Sequence, residues 1–598
     1  MKNFFASFLG TLAGLAFAVT GLLLLACGFL FLASAFEKKA VTAAPGTYLV
    51  FDLGANITDA PPEFDGAGLG SLFASENAHS VQLRTVTRAL KAAATDPHIA
   101  GVVMFGSLSP SGYGTGFAVL SEVRAALATF RASGKPVVAY LDFATTRDLY
   151  LAAGATDLVL DPYGSLVVPG LASEPTFYAG AFERFGVGVQ VTKVGDYKSY
   201  AEPFVRKDLS PANREQMEKL LGDLWGDLRG DIAADRKQPA AQLQELIDAE
   251  GVIRPESALK AHVVDRLAYR DEVLEQLKKA TGVTDPADSF KQITLTDYAR
   301  SLPAPKSSPA HQVAVIYAEG AIVDGEGESD EVGGARFARE LRALRQDDDV
   351  KAIVLRVNSP GGSATASEHI QRELRLAAED KPVIVSMGSY AASGGYWISA
   401  YGDRIFAEPT TITGSIGVVG IHFEVQKLAN QMGVTWDSVK TGRYADIFTI
   451  SRPKTEGELA VFQGMVEWIY GEFIRKVAEG RELDPAEVRR IAGGRVWSGR
   501  EALKLGLVDE LGGLDAAIAY AAKAAAVEAD FELTEFPQSL TFPEMVQSLL
   551  EDVRPVESTH RGLISQVIAG LKSEAKVLSQ FNDPRGIYAR LPLEINVR

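Results

Sequence analysis

Short apolar runs alternate with longer helical patterns along most of the chain. Runs rich in β-branched residues occur at residues 99–105 and 137–141, and each follows a stretch with helical periodicity, at residues 80–95 and 116–133. Parallel strands need a crossover connection, which is usually a helix. The alternation therefore predicts an α/β fold with a largely parallel sheet.

The first apolar run is of a different kind. Residues 4–36 contain no charged side chain, and this run is longer than the roughly 20 residues that span a bilayer. A signal peptide cut after Ala35 and a lipoprotein signal at Cys27 are the alternatives. The apolar core is longer than a usual signal-peptide core and stays apolar beyond Cys27. We therefore expect residues 1–40 to form one transmembrane anchor. Basic residues flank the span on both sides, so the positive-inside rule hardly distinguishes its two orientations.

The pattern behind the anchor occurs twice. Four segments of the first half match segments of the second half at offsets of 244 to 247 residues. The matched pairs are residues 135–138 with 381–384, 157–162 with 403–409, 195–197 with 442–444, and 258–265 with 502–509. We infer a tandem duplication, with one repeat at residues 46–300, a second at residues 310–535, a linker at residues 302–309 and a helical tail at residues 536–598.

Composition narrows the functional class. The 598 residues are 47% hydrophobic and carry a net charge of −16, which fits a folded protein and gives no support for nucleic-acid binding. The single cysteine, Cys27, excludes a disulfide within one chain, and the seven histidines lack the spacing of metal ligands. We expect no metal and no cofactor.

A small-residue turn in the second repeat is the first candidate for chemistry. A strand run at residues 382–386 leads into the sequence MGSYAASGGYW, which places Ser393 between small residues. A strand-to-helix turn of this kind raises a nucleophile above the sheet and leaves the next amide, that of Gly394, at a helix start. A glycine-rich helix start packed closely on a neighbour is the structural alternative.

A second turn supplies candidate oxyanion donors. The strand run at residues 354–358 ends in Ser-Pro-Gly-Gly, and a helix is predicted at residues 364–378. Two adjacent glycines after a strand expose backbone N–H groups, which is what a developing oxyanion needs. Gly361 or Gly362 is therefore expected to act beside Gly394.

These turns resemble those of a known family. Together with TGSIGV at residues 413–418 and RVWSGREA at residues 495–502, they are similar to the signal peptide peptidase A (SppA) family of membrane-bound serine peptidases. The resemblance implies a tandem duplication of a Clp protease/crotonase-like α/β domain behind one N-terminal transmembrane helix.

The two repeats complement each other at the expected site. Arg147 stands at the register of Ser393, whereas Lys198 of the first repeat falls opposite Ala445 of the second. In long members of the family the lysine comes from the first repeat. The resemblance therefore implies that Ser393 is the nucleophile, that Lys198 is the general base, and that Ser415 orients the lysine amine.

Other functions remain open from the residues alone. His422 follows Ser393 by 29 residues, so a Clp-like Ser-His peptidase is possible, although the run before His422 resembles a buried strand. His369, on the helix after the Gly-Gly turn, is expected to have a packing or surface role. A crotonase-like acyl-CoA enzyme and a scaffold without catalytic activity are further alternatives.

The resemblance also implies a setting for the enzyme. It implies that the substrates are hydrophobic peptides, chiefly spent signal peptides, and that the chain forms a homotetramer. The catalytic body is expected on the periplasmic side of the inner membrane, held by the anchor.

Overall fold

The computed structural model describes Gly21 and residues 42–61, 80–303, 311–537 and 587–591. Apart from Gly21, the expected anchor at residues 1–40 lies outside the described residues, as do most of the expected linker and most of the expected tail. Within the described part of the chain, no helix is both long and apolar enough to cross a bilayer.

The strands of the first repeat are β1 (Thr47–Asp52), β2 (Asn56–Thr58), β3 (Ser80–Gln82), β4 (Ile99–Phe105), β5 (Val137–Thr145), β6 (Asp157–Val167), β7 (Gly188–Lys193), β8 (Val252–Ile253), β9 (Arg266–Leu267) and β10 (Gln292–Thr294). Seven of them form one sheet with the order β10-β1-β4-β5-β6-β8, in which β9 also pairs with β6. β2 and β3 form a separate pair, and β7 belongs to another sheet. The helices of the first repeat are α1 (Leu83–Thr95), α2 (Phe117–Ala132), α3 (Thr146–Ala152), α4 (Ala179–Phe185), α5 (Glu202–Val205), α6 (Pro211–Asp235), α7 (Ala240–Glu250), α8 (Pro255–Lys260), α9 (Arg270–Ala280) and α10 (Leu295–Ser301).

The strands of the second repeat are β11 (Gln312–Glu319), β12 (Ala321–Val323), β13 (Glu331–Gly333), β14 (Val350–Ser359), β15 (Gly361–Ser363), β16 (Val383–Ala392), β17 (Arg404–Ala407), β18 (Ile412–Gly414), β19 (Val419–Glu424), β20 (Val496–Ser498), β21 (Glu510–Leu511) and β22 (Glu532–Phe536), and β23 (Ile587–Arg590) follows them. Eight of these strands form one sheet with the order β20-β18-β16-β14-β11-β22, in which β17 joins β16 to β21. The helices are α11 (Gly334–Gln346), α12 (Ala364–Ala378), α13 (Gly394–Ser399), α14 (Gln426–Gln431), α15 (Glu456–Arg481), α16 (Pro485–Ile491), α17 (Gly499–Lys504) and α18 (Leu514–Ala524).

The central strands run in the same order in both sheets. The parallel series β10-β1-β4-β5-β6-β9 corresponds to β22-β11-β14-β16-β17-β21. Helices cover these sheets, so their central strands are buried, as in β14, where nine of ten residues are buried. The shared order is what a duplicated chain predicts.

A third sheet joins the two repeats. Its order is β13-β12-β15-β23-β19-β7, and β7 of the first repeat pairs antiparallel with β19 of the second over six residue pairs. The first repeat therefore supplies an edge strand beside the turns that carry the candidate chemistry.

The structure agrees with most predicted elements and differs at three places. The helix predicted at residues 364–378 is confirmed as α12. The strand predicted at 382–386 runs on to Ala392, because the small residues after it pair with β18. Residues 80–82 of a predicted helix form β3 instead, paired with β2. In the tail predicted to be helical, the residues of β23 form a strand because they lie between β15 and β19.

Candidate active site

Ser393 stands at the junction of a buried strand and a short helix. It follows β16 directly and precedes α13, with φ 56° and ψ −110°. A serine in this left-handed region is strained, and such strain is typical of functional turns that must aim a side chain. The Ser393 N–H donates to the Gly414 carbonyl at 2.8 Å, which fixes the turn against β18.

Lys198 of the first repeat reaches Ser393. Its Nζ lies 2.7 Å from Ser393 Oγ, and 3.1 Å from both the hydroxyl and the carbonyl oxygen of Ser415. All three side chains are fully buried. The structure thus brings together the serine, the lysine and the second serine that the sequence singled out.

The pairing of β7 with β19 explains how a residue 195 positions away reaches the serine. Beyond β7, the Tyr197 N–H donates to the Gly493 carbonyl at 3.1 Å. Gly494, at φ +85°, lies against the lysine backbone, and a Cβ built there would be 2.5 Å from Lys198 N. Only glycine allows this approach, which holds the lysine at the site.

Burial sets the electrostatics of the pair. Desolvation lowers the pKa of Lys198 well below its ordinary value of 10.5. The two serine hydroxyls and one carbonyl around Nζ are neutral groups, which accept hydrogen bonds without supplying a full negative charge. Burial therefore favours the neutral amine over the ammonium at this position, and a neutral amine can accept a proton.

The two glycine turns meet at Ser393. A Cβ built on Gly361, at φ +92°, would lie 2.6 Å from the Gly394 nitrogen. The Gly361 N–H already donates to Ser359 Oγ at 3.2 Å, which leaves Gly362 as the candidate donor beside Gly394. The sequence did not single out Ser359; its place directly before the Pro-Gly-Gly turn was the available signal.

His422 lies in β19, away from the serine's contacts. Its Nε2 is 3.2 Å from Thr192 Oγ1, and its ring packs on Phe462 with centroids 4.3 Å apart. Burial, with a smaller contribution from Lys454, lowers the pKa of His422 to about 4. His369 is exposed on α12 and lines a surface cleft.

The corresponding turn of the first repeat is closed by its own side chains. The Asp148 carboxylate accepts hydrogen bonds from Ser107 Oγ at 2.8 Å, from Leu108 N at 2.7 Å and from Thr145 N at 2.8 Å. Arg147, at the register of Ser393, lies over the Phe117 ring. The Asp148 carboxylate thus ties this turn to the preceding loop, in a repeat that carries arginine at the register of Ser393.

Comparisons with known proteins place this site in a family. The family model described as "Peptidase family S49" matches residues 129–284 and 375–528, and the "Clp protease" model matches residues 309–413. The chain is 36% identical to "Protease 4" of Salmonella typhi, over 92% of this chain and 91% of that one. It is 32% identical to "Protease 4" of Haemophilus influenzae over 84% of each chain. It is 31% identical to "Serine protease SPPA, chloroplastic" of Arabidopsis thaliana, over 79% of this chain and 71% of that one.

These matches define the class of the protein as a serine peptidase with a Clp-protease-like α/β fold. The chain belongs to peptidase family S49, in a form that carries the family domain twice. The duplication inferred from the sequence is confirmed, as is the resemblance to the SppA family.

Proposed function

We propose that the chain is a membrane-anchored endopeptidase that uses a Ser393–Lys198 dyad to degrade hydrophobic peptides, chiefly signal peptides after their release. The observation that carries the proposal is the 2.7 Å separation between Lys198 Nζ and Ser393 Oγ, made by a fully buried lysine. A serine hydroxyl becomes a good nucleophile only when a base takes its proton, and a neutral amine can do so.

Acylation follows from these positions. The Lys198 amine takes the proton of Ser393 Oγ as that oxygen bonds to the substrate carbonyl carbon. The N–H groups of Gly394 and Gly362 stabilise the charge that develops on the carbonyl oxygen. The C–N bond then breaks, and the lysine ammonium gives its proton to the leaving amine.

Deacylation uses the same groups in turn. The Lys198 amine takes a proton from water, the hydroxide adds to the ester carbonyl, and Ser393 Oγ leaves and regains the proton. Ser415 Oγ, 3.1 Å from the amine, keeps the lysine directed at the nucleophile through both steps.

Apolar side chains surround the dyad. One buried cluster includes Tyr200, two residues after Lys198, and a second includes Ile416, directly after Ser415. These clusters keep water from the lysine amine, which favours its neutral form. The hydrophobic substrate class in this proposal rests on the resemblance to the SppA family.

Cleavage of a signal peptide tests the proposal. The full chain in detergent should fragment a synthetic signal peptide, and Ser393→Ala should not, because the only group that forms the acyl-enzyme is gone. His422→Ala should keep most of the activity, because the His422 ring hydrogen-bonds to Thr192 and not to Ser393. Liquid chromatography with mass spectrometry measures the fragments. If His422→Ala is inactive and folded, a Clp-like Ser-His mechanism replaces the dyad.

Membrane attachment and assembly belong to the same proposal. We expect residues 1–40 to anchor the chain in the inner membrane, with the catalytic body in the periplasm and four chains in each particle. Exposed large apolar side chains, among them Trp436, Val439, Phe448 and Trp468, support an assembly that covers them. Full chain should sediment with membranes while a fragment starting at Val41 does not. A detergent-solubilised particle with the mass of one chain would refute the tetramer.

A further inference from the structure

Lys198 lies on a stretch of chain that belongs to neither a helix nor a strand. The stretch falls between β7 and α5, and the proposed mechanism needs Lys198 Nζ to stay at its 2.7 Å distance from Ser393 Oγ. A displacement of about 1 Å at a catalytic group can lower a rate about 100-fold. The groups that fix this stretch therefore bear directly on catalysis.

One side chain of α6 contacts this stretch on both sides of the lysine. Gln216 Nε2 donates to the Tyr197 carbonyl at 3.0 Å and to the Ser199 hydroxyl at 3.2 Å. Ser199 is fully buried, and Gln216 is 1% exposed. One buried amide group thus holds the residue before Lys198 and the residue after it.

The oxygen of the same amide reaches the second repeat. The Val496 N–H donates to Gln216 Oε1 at 3.3 Å. Val496 pairs with Gly414 in the ladder between β20 and β18, and the Gly414 carbonyl accepts from the Ser393 N–H. The carbonyl of the residue before Val496 accepts from the Ser415 N–H at 2.7 Å. Gln216 therefore joins the lysine stretch to the backbone that holds the nucleophile and Ser415.

A chain of buried polar groups fixes the orientation of the Gln216 amide. Glu202 Oε2 accepts a hydrogen bond from Asn213 Nδ2 at 3.0 Å, which turns Asn213 Oδ1 toward Gln216 Nε2, also at 3.0 Å. An amide nitrogen only donates, and an amide oxygen only accepts. If the Gln216 amide were flipped, its oxygen would face the Tyr197 carbonyl and its nitrogen would face the Val496 N–H. The amide therefore fits this position in one orientation.

We propose that Gln216 is a positioning residue for the base: its buried amide fixes the stretch around Lys198 against β20 and so sets the distance from Nζ to Ser393 Oγ. The inference rests on the proposed function of that pair. Within the described residues, the four hydrogen bonds of Gln216 go to groups beside the dyad, and none goes to Nζ or Oγ. Gln216 therefore acts through Lys198 and not on the substrate.

The same contacts keep the amine away from water. The partners of Nζ are the neutral oxygens of Ser393 and Ser415, and desolvation there lowers the pKa of Lys198 well below 10.5. If the stretch were released from β20, the amine could move toward water and regain part of its ordinary pKa. Loss of positioning should therefore change the pH dependence of activity as well as the rate.

Gln216→Met in the full chain, in detergent, tests the proposal. Methionine is also unbranched but offers no amide, so the lysine stretch should lose its tie to β20. For a lipophilic peptide ester, kcat and kcat/KM should fall together by about 100-fold, because the lost contact acts on the base and not on substrate binding. The rise of kcat/KM with pH should also move to a higher pH than in the wild type.

Two variants of the same helix serve as controls. Leu228 is fully buried in the core of the first repeat, so Leu228→Ala leaves a cavity and lowers the melting temperature. At a temperature where it is folded, Leu228→Ala should keep the wild-type kcat and pH profile. Glu218→Ala changes an exposed residue and should alter neither the melting temperature nor the rate.

Asn213→Ala provides a second, milder test. It removes only the group that orients the Gln216 amide. It should therefore lower kcat by less than Gln216→Met does and move the pH profile in the same direction. Circular dichroism and thermal unfolding establish which variants are folded, and Asn213→Ala decides the test if Gln216→Met does not fold.

The outcomes separate this inference from the proposed function. A Gln216→Met enzyme with a lower melting temperature but the wild-type kcat and pH profile would show that Gln216 is only structural, while the dyad stands. A lower kcat with an unshifted pH profile would also overturn the inference, because the amine would not have moved. If Lys198→Ala and Ser393→Ala keep their rates, the proposed function itself fails.

Discussion

Lys198→Ala should lower kcat/KM for a lipophilic peptide ester by about 10⁴-fold, because in the described part of the chain Lys198 is the base that hydrogen-bonds to Ser393 Oγ. The amine at 2.7 Å is the group placed to take the hydroxyl proton, and its other neighbours are the two oxygens of Ser415. The measurement is the initial rate of ester hydrolysis by full chain in detergent.

Two further variants sharpen this result. Lys198→Arg should be as inactive as Lys198→Ala, because a guanidinium stays protonated and cannot act as a base. Lys207→Ala removes an exposed lysine of the same repeat and should leave the rate unchanged. A Lys198→Ala enzyme that keeps its rate while His422→Ala loses it would transfer the role of base to the histidine.

The lowered pKa of Lys198 has consequences for pH dependence. Activity needs the neutral amine, so kcat/KM should rise with pH through the folded-state pKa and level off well below 10.5. At a pH between the folded-state pKa and the unfolded-state pKa of 10.5, the unfolded chain holds a proton on Lys198 and the folded chain does not. The free energy of unfolding of the wild type therefore increases as the pH rises through this range. Lys198→Met lacks this contribution. The melting temperature of the wild type should therefore rise relative to that of Lys198→Met as the pH increases from 7 toward 10.

The local parts of the site were predictable from the sequence. Each depends on neighbouring residues: the strand before Ser393, the helix start at Gly394 and the helix over residues 364–378 follow from apolar runs and small-residue turns. The partnership of Lys198 with Ser393 required more than local pattern. That pairing was inferred from the complementary repeats and from the resemblance to the SppA family. The catalytic roles of the two residues are a proposal.

Long-range pairing was beyond the sequence. Nothing in residues 188–193 indicates that they pair with residues 419–424 of the other repeat, because short strands of mixed polarity fit several partners. The same holds for residues 587–591, whose strand conformation depends on two strand edges far away in sequence. The choice between Gly361 and Gly362 likewise depended on one side-chain contact, with Ser359.

A buried ion cluster between the repeats was also missed. Arg356, within the apolar run of β14, is fully buried, and its guanidinium lies 2.7 Å from Asp59 and 2.6 Å from Glu122, both of the first repeat. The sequence did carry a signal, because an arginine within a buried strand needs a partner. Burial raises the pKa of Glu122 and that of Glu319 to about 7, so the cluster holds protons near neutral pH.

Arg356→Met should destabilise the chain by about 3 to 5 kcal/mol, because it leaves two buried carboxyl groups without their cation. Arg339→Met breaks an ion pair on the surface of the same repeat and should change stability little. Urea unfolding followed by tryptophan fluorescence measures both. Loss of the guanidinium raises the folded-state pKa of Glu122 above its wild-type value of about 7, so the deficit should stay constant near pH 5 and grow as pH rises past 7.

Neutralising the carboxyl groups should recover part of the loss. Adding Glu122→Gln to Arg356→Met removes one of the two uncompensated carboxyl groups, so the double variant should be more stable than Arg356→Met alone. The recovery should also abolish the pH dependence that Glu122 contributes. An Arg356→Met chain with the urea midpoint of the wild type would mean that the cluster adds nothing to the joining of the repeats. The 2.7 Å contact of Lys198 with Ser393 would then depend on the β7–β19 pairing and the apolar contacts around it.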